Sequence, residues 1–256
     1  MAYALITGAS KGIGKCLAEG LAAKGYDVLL VARSEQLLLD LGSSLQSRFK
    51  VNTAILATDL SAPGAADKVF AWARGYDIRV LVNNAGYGLG GALDKSPLTD
   101  TLAMMRVNME VPVSLCRLLL PQLRQQPKAY ILNIASSAAY QSVPGMNVYA
   151  ATKSFVLSFS RGLRQELKKS AVSVTCISPG ATDTNFVNQA QLGEKARKMA
   201  DKVNMSPEKV ADIALRSLFA GKGEVIPGFI NKLGAAAAWL LPKGLTESTA
   251  MKIYQP

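Results

Sequence analysis

Short apolar runs alternate along the chain with segments in which apolar residues recur every three or four positions. The first pattern is typical of buried parallel strands, and the second of helices that cover a sheet. We predict strands at residues 3–7, 27–31, 52–58, 79–83, 129–134, 172–177 and 224–226. We predict helices at residues 12–24, 34–48, 64–74, 99–125, 149–169 and 207–220. This order predicts an α/β fold, a doubly wound parallel sheet of about seven strands with helices on both faces, in a single domain over residues 1–256.

A glycine-rich loop follows the first predicted strand. Gly8, Gly12 and Gly14 have the spacing Gly-x-x-x-Gly-x-Gly and lead directly into the first predicted helix. Such a loop lets the backbone approach a pyrophosphate, and the helix N-terminus offers free N–H groups to its oxygens. An isolated glycine loop is weak evidence, but this one lies between a strand and a helix. It predicts a dinucleotide site.

Tyr149 and Lys153 are four residues apart in a predicted helix, so their side chains lie on one face about a turn apart. A fixed positive charge favours the phenolate and lowers the pKa of a neighbouring tyrosine. That shift would make Tyr149 a general acid and base near working pH. Taken alone, the pair is equally consistent with an aromatic ring packed against a lysine stem.

Five motifs occur in one order along the chain. They are Thr7-Gly8-x-x-x-Gly12-x-Gly14, Asn83-Asn84-Ala85-Gly86, Ser136, Tyr149-x-x-x-Lys153 and Pro179-Gly180. With these motifs the chain resembles the short-chain dehydrogenase/reductase family over residues 3–227. The resemblance implies a Rossmann-like fold and an NAD(P)-dependent enzyme that acts on CH–OH or C=O groups. It implies the catalytic residues Asn108, Ser136, Tyr149 and Lys153. It implies cofactor contacts by Gly8, Ser10, Lys11, Gly12, Ile13, Gly14, Arg33, Asp59, Leu60, Asn83, Ala85, Gly86, Tyr149, Lys153, Pro179, Gly180, Thr182 and Thr184.

The resemblance also implies a role for each catalytic residue. Ser136, chosen over Ser137 because it lies thirteen residues before Tyr149, would hydrogen-bond the substrate carbonyl. Tyr149 would donate the proton, while Lys153 would lower the pKa of Tyr149 and bind the nicotinamide ribose. The main-chain carbonyl of Asn108 would hold a water in a proton relay. Because Pro112 has no N–H, it cannot donate the helical hydrogen bond to the Asn108 carbonyl, which leaves that carbonyl in need of another partner such as a water. The proline is equally consistent with a simple kink in a long helix.

The choice between NAD and NADP depends on the end of the second strand. A carboxylate there binds the ribose 2′-hydroxyl, whereas a basic side chain pairs with a 2′-phosphate. The position about twenty residues after the glycines is Ala32, followed by Arg33, and Lys11 lies inside the glycine loop. Glu35 is the one acid nearby. We therefore predict NADP(H) as the cofactor, with an NAD-dependent alcohol dehydrogenase as the alternative.

Composition removes several other classes of protein. The chain has no histidine, which excludes histidine triads and histidine metal ligands, and we predict no metal site. Its three cysteines are widely spaced and fit buried thiols in a reducing compartment, so we expect a cytoplasmic protein. The net charge of +11 comes from scattered lysines and arginines without basic–aromatic interleaving, which argues against nucleic acid binding. The first strand starts too early for a signal peptide, and we expect no transmembrane segment.

Two C-terminal stretches bear on the substrate and on assembly. By resemblance, residues 185–205 fold over a small-molecule carbonyl or alcohol substrate. Residues 137–147 and 185–205 are rich in Ala, Val, Met and Phe with few charges, which predicts an apolar carbonyl compound. The tail, residues 228–256, departs from many family members. Its run Leu233 to Leu241 predicts a short helix that caps the pocket, packs on another subunit or lies on a membrane; we favour the first two. Apolar residues on helices 99–125 and 149–169 predict a homodimer or homotetramer. A nucleotide-sensing scaffold without catalysis is the non-enzyme alternative.

Overall fold

A seven-stranded parallel sheet forms the centre of the computed structural model, which describes residues 2–182 and 204–254. The strands are β1 (Tyr3–Thr7), β2 (Asp27–Ala32), β3 (Thr53–Ala57), β4 (Ile78–Asn83), β5 (Ala129–Ile134), β6 (Val172–Ile177) and β7 (Glu224–Val225). They lie in the order β3-β2-β1-β4-β5-β6-β7, so the strand order reverses between β1 and β4. Every residue of β2 and β5 is buried, as their apolar runs indicated. The predicted doubly wound α/β fold is confirmed.

Helices cover both faces of the sheet. They are α1 (Gly12–Ala22), α2 (Glu35–Phe49), α3 (Ala65–Ala73), α4 (Leu98–Met105), α5 (Val111–Gln125), α6 (Asn147–Glu166) and α7 (Pro207–Phe219). One apolar core lies between the sheet and helices α1, α2 and α7, and includes Leu17, Leu38 and Leu215. The other lies under α3, α5 and α6 and includes Val69 and Leu115. Burial of these faces supplies most of the driving force for the fold.

The predicted helix 99–125 is not continuous. Between α4 and α5 the chain forms a π-helical segment, Arg106–Glu110, in which the Val111 N–H bonds to the Arg106 carbonyl five residues back. Pro112 explains the wider turn, because it has no N–H with which to continue the regular i to i−4 ladder. The prediction of a single long helix was therefore wrong at its centre. The π-helical segment carries Asn108, whose side chain is buried.

The C-terminal tail contains two helices, where the sequence predicted one helix and a polar end. The first tail helix is Phe229–Leu240 and the second tail helix is Lys243–Tyr254. The second was missed because the side chains that it buries among residues 243–252, Thr246 and Ala250, are small and give little amphipathic signal. None of the helices in residues 2–182 and 204–254 has both the length and the hydropathy to cross a membrane.

The apolar residues cited for assembly divide into two groups. Leu115 and Leu119 are fully buried in the protein's own core. By contrast, Phe155 is 43% exposed and stacks on Phe159 with ring centroids 6.3 Å apart. Some of these side chains therefore belong to the core of a single subunit. Of the surfaces cited for the predicted homodimer or homotetramer, the outer face of α6 is the one that remains a candidate interface.

Candidate active site

The glycine turn lies at the point where the strand order reverses, which is where open α/β sheets bind ligands. Gly8 and Gly12 have φ values of +67° and +55°, a region that side chains rarely adopt. A Cβ at Gly14 would lie 2.1 Å from the Gly8 carbonyl oxygen. Only glycine therefore allows α1 to start this close to the end of β1.

Two polar side chains fix this turn to β4. The Asn84 side-chain amide donates to the carbonyl oxygens of Thr7 and Gly8, at 3.0 and 3.1 Å. The Thr7 hydroxyl donates to the Val82 carbonyl at 3.2 Å and accepts from the main-chain N–H groups of Asn84 and Ala85, both at 3.1 Å. The Thr-Gly and Asn-Asn-Ala-Gly motifs are thus one hydrogen-bonded unit, which holds the turn in position.

Within that unit, Asn84 and not Asn83 faces the crevice. Asn83 was predicted to contact the cofactor, but it is buried and donates to Asn133 Oδ1 at 2.9 Å, outside the cavity lining. Asn84 lines the cavity, although it was not among the predicted contacts. Successive residues of an extended segment point in opposite directions, so only one of the two amides can face the ligand.

One cavity of about 940 Å³ extends along this edge of the sheet. It brings together most of the predicted site residues. These are Gly8, Ser10, Lys11, Gly12, Ile13, Gly14, Arg33, Asp59, Leu60, Ala85, Gly86, Ser136, Tyr149, Lys153, Pro179, Gly180 and Thr182. Thr184 and most of the predicted substrate-covering segment, residues 185–203, lie outside the described residues. Residues far apart in sequence therefore meet in a single cavity.

Lys153 lies at the base of this cavity. Its side chain is only 5% exposed, its Nζ donates to the Ile134 carbonyl at 2.9 Å, and burial lowers its pKa to about 8. Nζ lies 5.9 Å from the centroid of the Tyr149 ring, one turn back on α6. A Cβ at Gly86 would come within 3.2 Å of Nζ, so glycine at that position keeps the space beside the ammonium open.

Asn108 lies behind the cavity and connects two of its walls. Its amide nitrogen donates to the Tyr87 carbonyl and to the Thr152 hydroxyl, both at 3.0 Å, and its Oδ1 accepts from the Tyr87 N–H at 3.2 Å. Thr152 in turn donates to the Tyr149 carbonyl at 2.7 Å. The side chain thus fixes the loop after β4 to the first turns of α6. The predicted relay through the Asn108 main-chain carbonyl stays a prediction.

Ser136 lies two residues after β5 and caps a short 3₁₀ turn, Ser137–Tyr140. Its Oγ accepts from the Ala138 N–H at 3.1 Å, and the Ser137 N–H donates to the Pro179 carbonyl at 2.7 Å. Both serine side chains line the cavity. Ser136 is the better candidate because the chain spacing to Tyr149 favours it, and its hydroxyl proton remains available to a substrate.

Two cationic side chains lie at the end of the cavity that is formed by the glycine turn and the end of β2. Lys11 and Arg33 both line it, whereas Glu35 begins α2 and is not part of the lining. The first turn of α1 contains no acidic residue, so its free N–H groups are not neutralised locally. Hydrogen bonds from the Ser61 N–H and hydroxyl, at 2.9 and 2.8 Å, lower the pKa of Asp59, and nearby Arg33 adds to this effect.

The two tail helices form the outer wall. The first tail helix contributes Asn231 and Ala238, and the second contributes Thr246 and Ala250. A Cβ at Gly180 would lie 2.3 Å from Asn231 Oδ1, so this helix packs directly on the loop after β6. Of the three roles that the sequence left open for the tail, the structure shows pocket capping.

Comparison with known proteins agrees with this geometry. Residues 2–195 match the profile of the short chain dehydrogenase family, which is more than half of the chain. The chain belongs to the short-chain dehydrogenase family. This is the family that the sequence motifs indicated. Within the described ranges, no group of three or more Cys, Asp and Glu side chains could hold a metal ion.

Two similar members of the short-chain dehydrogenase family differ in the share of their length that this chain spans. Very-long-chain 3-oxoacyl-CoA reductase-A of Danio rerio is 36% identical over 181 residues, which are 69% of this chain and 57% of that protein. The reductase of Bos taurus is 34% identical over 97% of this chain and 78% of its own length. The chain thus spans little more than half of the zebrafish relative.

Two solved short-chain dehydrogenase structures resemble the whole fold. A 7beta-hydroxysteroid dehydrogenase matches with a TM-score of 0.88 and 27% identity, covering 97% of this chain and 96% of that one. A short-chain dehydrogenase from Sphingobium yanoikuyae in complex with NADPH matches with a TM-score of 0.82 and 30% identity, covering 93% and 91%. Family membership and the glycine cradle together fit a nicotinamide dinucleotide in the cavity.

Proposed function

We propose that this protein is an NADPH-dependent carbonyl reductase that acts on an apolar ketone. The observation that carries the proposal is the single cavity shared by Ser136, Tyr149 and Lys153 with the glycine turn and Arg33. An acid, a hydrogen-bond donor for a carbonyl oxygen and a phosphate-binding turn are then available to one bound substrate and cofactor.

NADPH, when bound, supplies the hydride and its electron pair to the carbonyl carbon. The protein's part is to stabilise and protonate the oxygen. The Ser136 hydroxyl donates a hydrogen bond to the carbonyl oxygen as negative charge develops there. The Tyr149 hydroxyl transfers its proton to that oxygen, which leaves a phenolate on the enzyme and an alcohol as product. The Lys153 ammonium stabilises the phenolate by its charge.

The preference for NADPH rests on two cations. Lys11 directly precedes α1 and Arg33 directly follows β2; both line the cavity, and both are exposed enough to reach a phosphate. Charge-assisted hydrogen bonds from such side chains are about twice as strong as neutral ones. Glu35, the acid that could have favoured the ribose hydroxyls of NAD, lies outside the lining. The NADPH complex of the Sphingobium yanoikuyae relative supports the same choice.

The walls beside Tyr149 support an apolar substrate. Val143, Met146 and Leu241 line the cavity together with the small side chains Ala237 and Ala238. Burial of apolar substrate surface against such walls contributes about 25 cal/mol per Å². The relatives that are named 3-oxoacyl-CoA reductase and hydroxysteroid dehydrogenase are named for acyl and steroid compounds, and we place the substrate in the same broad class of bulky apolar carbonyl compounds.

We further propose a homodimer, or a tetramer built from such dimers, paired through the outer face of α6. The exposed Phe155 ring, stacked on Phe159, offers a self-complementary apolar surface. Light scattering should give at least twice the monomer mass of 27.2 kDa. A charged substitution at Phe155 should return that mass to the monomer value, and an unchanged mass would place the interface elsewhere.

A panel of carbonyl compounds tests the activity directly. It should include long-chain 3-oxoacyl thioesters, 3-oxosteroids and small polar ketones, with NADPH and NADH assayed in parallel. We expect NADPH oxidation with at least one apolar substrate and much slower turnover with NADH. Oxidation of NADH at an equal or higher rate would favour the NAD-dependent alternative, and turnover of only the polar ketones would contradict the substrate class.

A further inference from the structure

The outer surface of the tail is strongly apolar. Of the thirteen exposed large apolar side chains in the described residues, seven lie on the two tail helices and an eighth, Leu241, lies between them. Six of them, each more than half exposed, define the tail patch: Phe229, Ile230, Leu233, Trp239, Leu240 and Leu245. Contiguous apolar surface of this kind marks a binding face when it is concentrated in one place and not scattered.

Helical spacing places three of these six side chains on one face of the first tail helix. Phe229, Leu233 and Leu240 are separated by four and seven residues, so they share one face of the first tail helix. Asn231 and Ala238, on the opposite face, line the cavity. The inner side of the helix is therefore covered by the rest of the protein, whereas the apolar side chains on its outer side are exposed.

Charge indicates what covers the outer side. The tail helices carry Lys232, Lys243 and Lys252 against a single acid, Glu247, and the whole chain has a net charge of +11. Lys232 and Lys252 are exposed and form no ion pair within the part of the chain that the structure describes. A second copy would bring like charges together across the contact, whereas an anionic lipid surface neutralises them.

The tail patch is continuous with the cavity. Ile230 and Leu245 are more than half exposed and also line the cavity, as does the partly exposed Leu241. An apolar compound dissolved in a bilayer would therefore pass from lipid to the active site along apolar side chains. The highly exposed Trp239 has the amphipathic ring that is enriched at membrane–water interfaces.

We propose that the two tail helices dock this protein on anionic lipid bilayers, with the tail patch in the headgroup region and Lys232 and Lys252 against lipid phosphates. The first tail helix would lie in the plane of the interface, as amphipathic helices with apolar and cationic faces do. Substrate entry from the bilayer rests on the proposed function, but the docking itself does not.

Vesicle binding by the full chain tests the docking without any substrate. The protein should co-sediment with vesicles that contain phosphatidylglycerol, and binding should fall sharply with pure phosphatidylcholine or at high salt. Since Trp72 and Trp239 are the two tryptophans, a Trp72→Phe variant makes Trp239 the only tryptophan. We expect its emission to shift to shorter wavelength with anionic vesicles.

Matched variants locate the contact. Leu233→Asp with Leu240→Asp should weaken vesicle binding by about tenfold or more, because the apolar face is lost and anionic charge is added. Neither residue lines the cavity, so NADPH binding should not change. Leu39→Asp, at an exposed position on α2, should bind vesicles like the wild type. The proposal would be overturned if the wild type did not bind anionic vesicles, or if the double variant bound them as well as the wild type. It would also be overturned if the wild type were an oligomer that the double variant converts to monomers, a result that would assign the tail patch to a second copy.

Discussion

The Tyr140 hydroxyl donates a hydrogen bond to Glu224 Oε1 at 2.7 Å, which connects the turn after Ser136 to β7 at the edge of the sheet. Arg161, on α6, holds the same carboxylate through two hydrogen bonds of 2.7 and 2.9 Å, and Ser178 Oγ lies 3.1 Å from the Tyr140 hydroxyl. Burial raises the pKa of Tyr140 and keeps its hydroxyl a donor. Four elements are thus joined beside Ser136.

Tyr140→Phe should lower the free energy of unfolding by about 1.5–3 kcal/mol, because a hydrogen bond to a charged acceptor is lost. Denaturant unfolding measures this difference. Tyr130→Phe is the matched control, since the Tyr130 hydroxyl forms no hydrogen bond within residues 2–182 and 204–254. Equal effects of the two substitutions would show that the Tyr140–Glu224 bond does not stabilise the turn.

Gly14→Ala should abolish dinucleotide binding and destabilise the fold. The new Cβ would lie 2.1 Å from the backbone carbonyl oxygen of Gly8, so either the turn or α1 must move. Gly75→Ala serves as the control, because a Cβ at Gly75 meets no atom within 4 Å. Calorimetric titration with NADPH compares the two variants, and wild-type affinity in Gly14→Ala would contradict the assignment of this turn.

Arg33→Ala combined with Lys11→Ala should raise the KM for NADPH about tenfold or more while changing that for NADH little. Each cation contributes about 1.5–3 kcal/mol to a charge-assisted hydrogen bond with a phosphate. Steady-state kinetics with both cofactors measures the split. Equal changes in the KM for NADPH and the KM for NADH would mean that neither cation binds the 2′-phosphate.

Lys153 should make stability depend on pH. In the folded protein it releases its proton near pH 8, whereas the unfolded chain holds that proton up to about pH 10.5. Because the unfolded state then binds more protons, the contribution of Lys153 to the free energy of unfolding rises with pH across this window, by at most about 1.4 kcal/mol per pH unit. Lys153→Met should abolish that rise in denaturant unfolding at the two ends of the window. A variant with the same pH dependence as the wild type would place the Lys153 pKa near its ordinary value.

The sequence allowed most of the fold to be predicted because strand and helix periods are strong where burial is complete. The seven strands and the turn at Gly8 and Gly12 follow from apolar runs and glycine spacing. The π-helical segment at Asn108 was not predicted. Pro112 could be read from the sequence, but the way the backbone adjusts around it could be seen only in the structure. The second tail helix was missed because its buried positions, Thr246 and Ala250, are small and hardly distinguish an inner face.

At the candidate active site, motif spacing identified the residues but could not show which of their side chains face the cavity. Asn83 and Asn84 are adjacent in sequence, and only the path of the chain after β4 decides which amide faces the cavity. The hydrogen bonds that Tyr140 and Arg161 donate to Glu224 join residues 84 and 63 positions apart, and no local pattern in the sequence connects them. Long-range polar contacts of this kind depend on the assembled sheet.

Turnover by Tyr149→Phe, compared with its NADPH affinity, tests the central claim most directly. The substitution removes only the hydroxyl that would protonate the substrate, so NADPH should bind with nearly wild-type affinity. Reduction of an apolar ketone should fall about 10²–10⁴-fold, which is the usual contribution of a general acid. A variant that binds NADPH normally and keeps more than about a tenth of the wild-type rate would contradict the claim that Tyr149 is the proton donor.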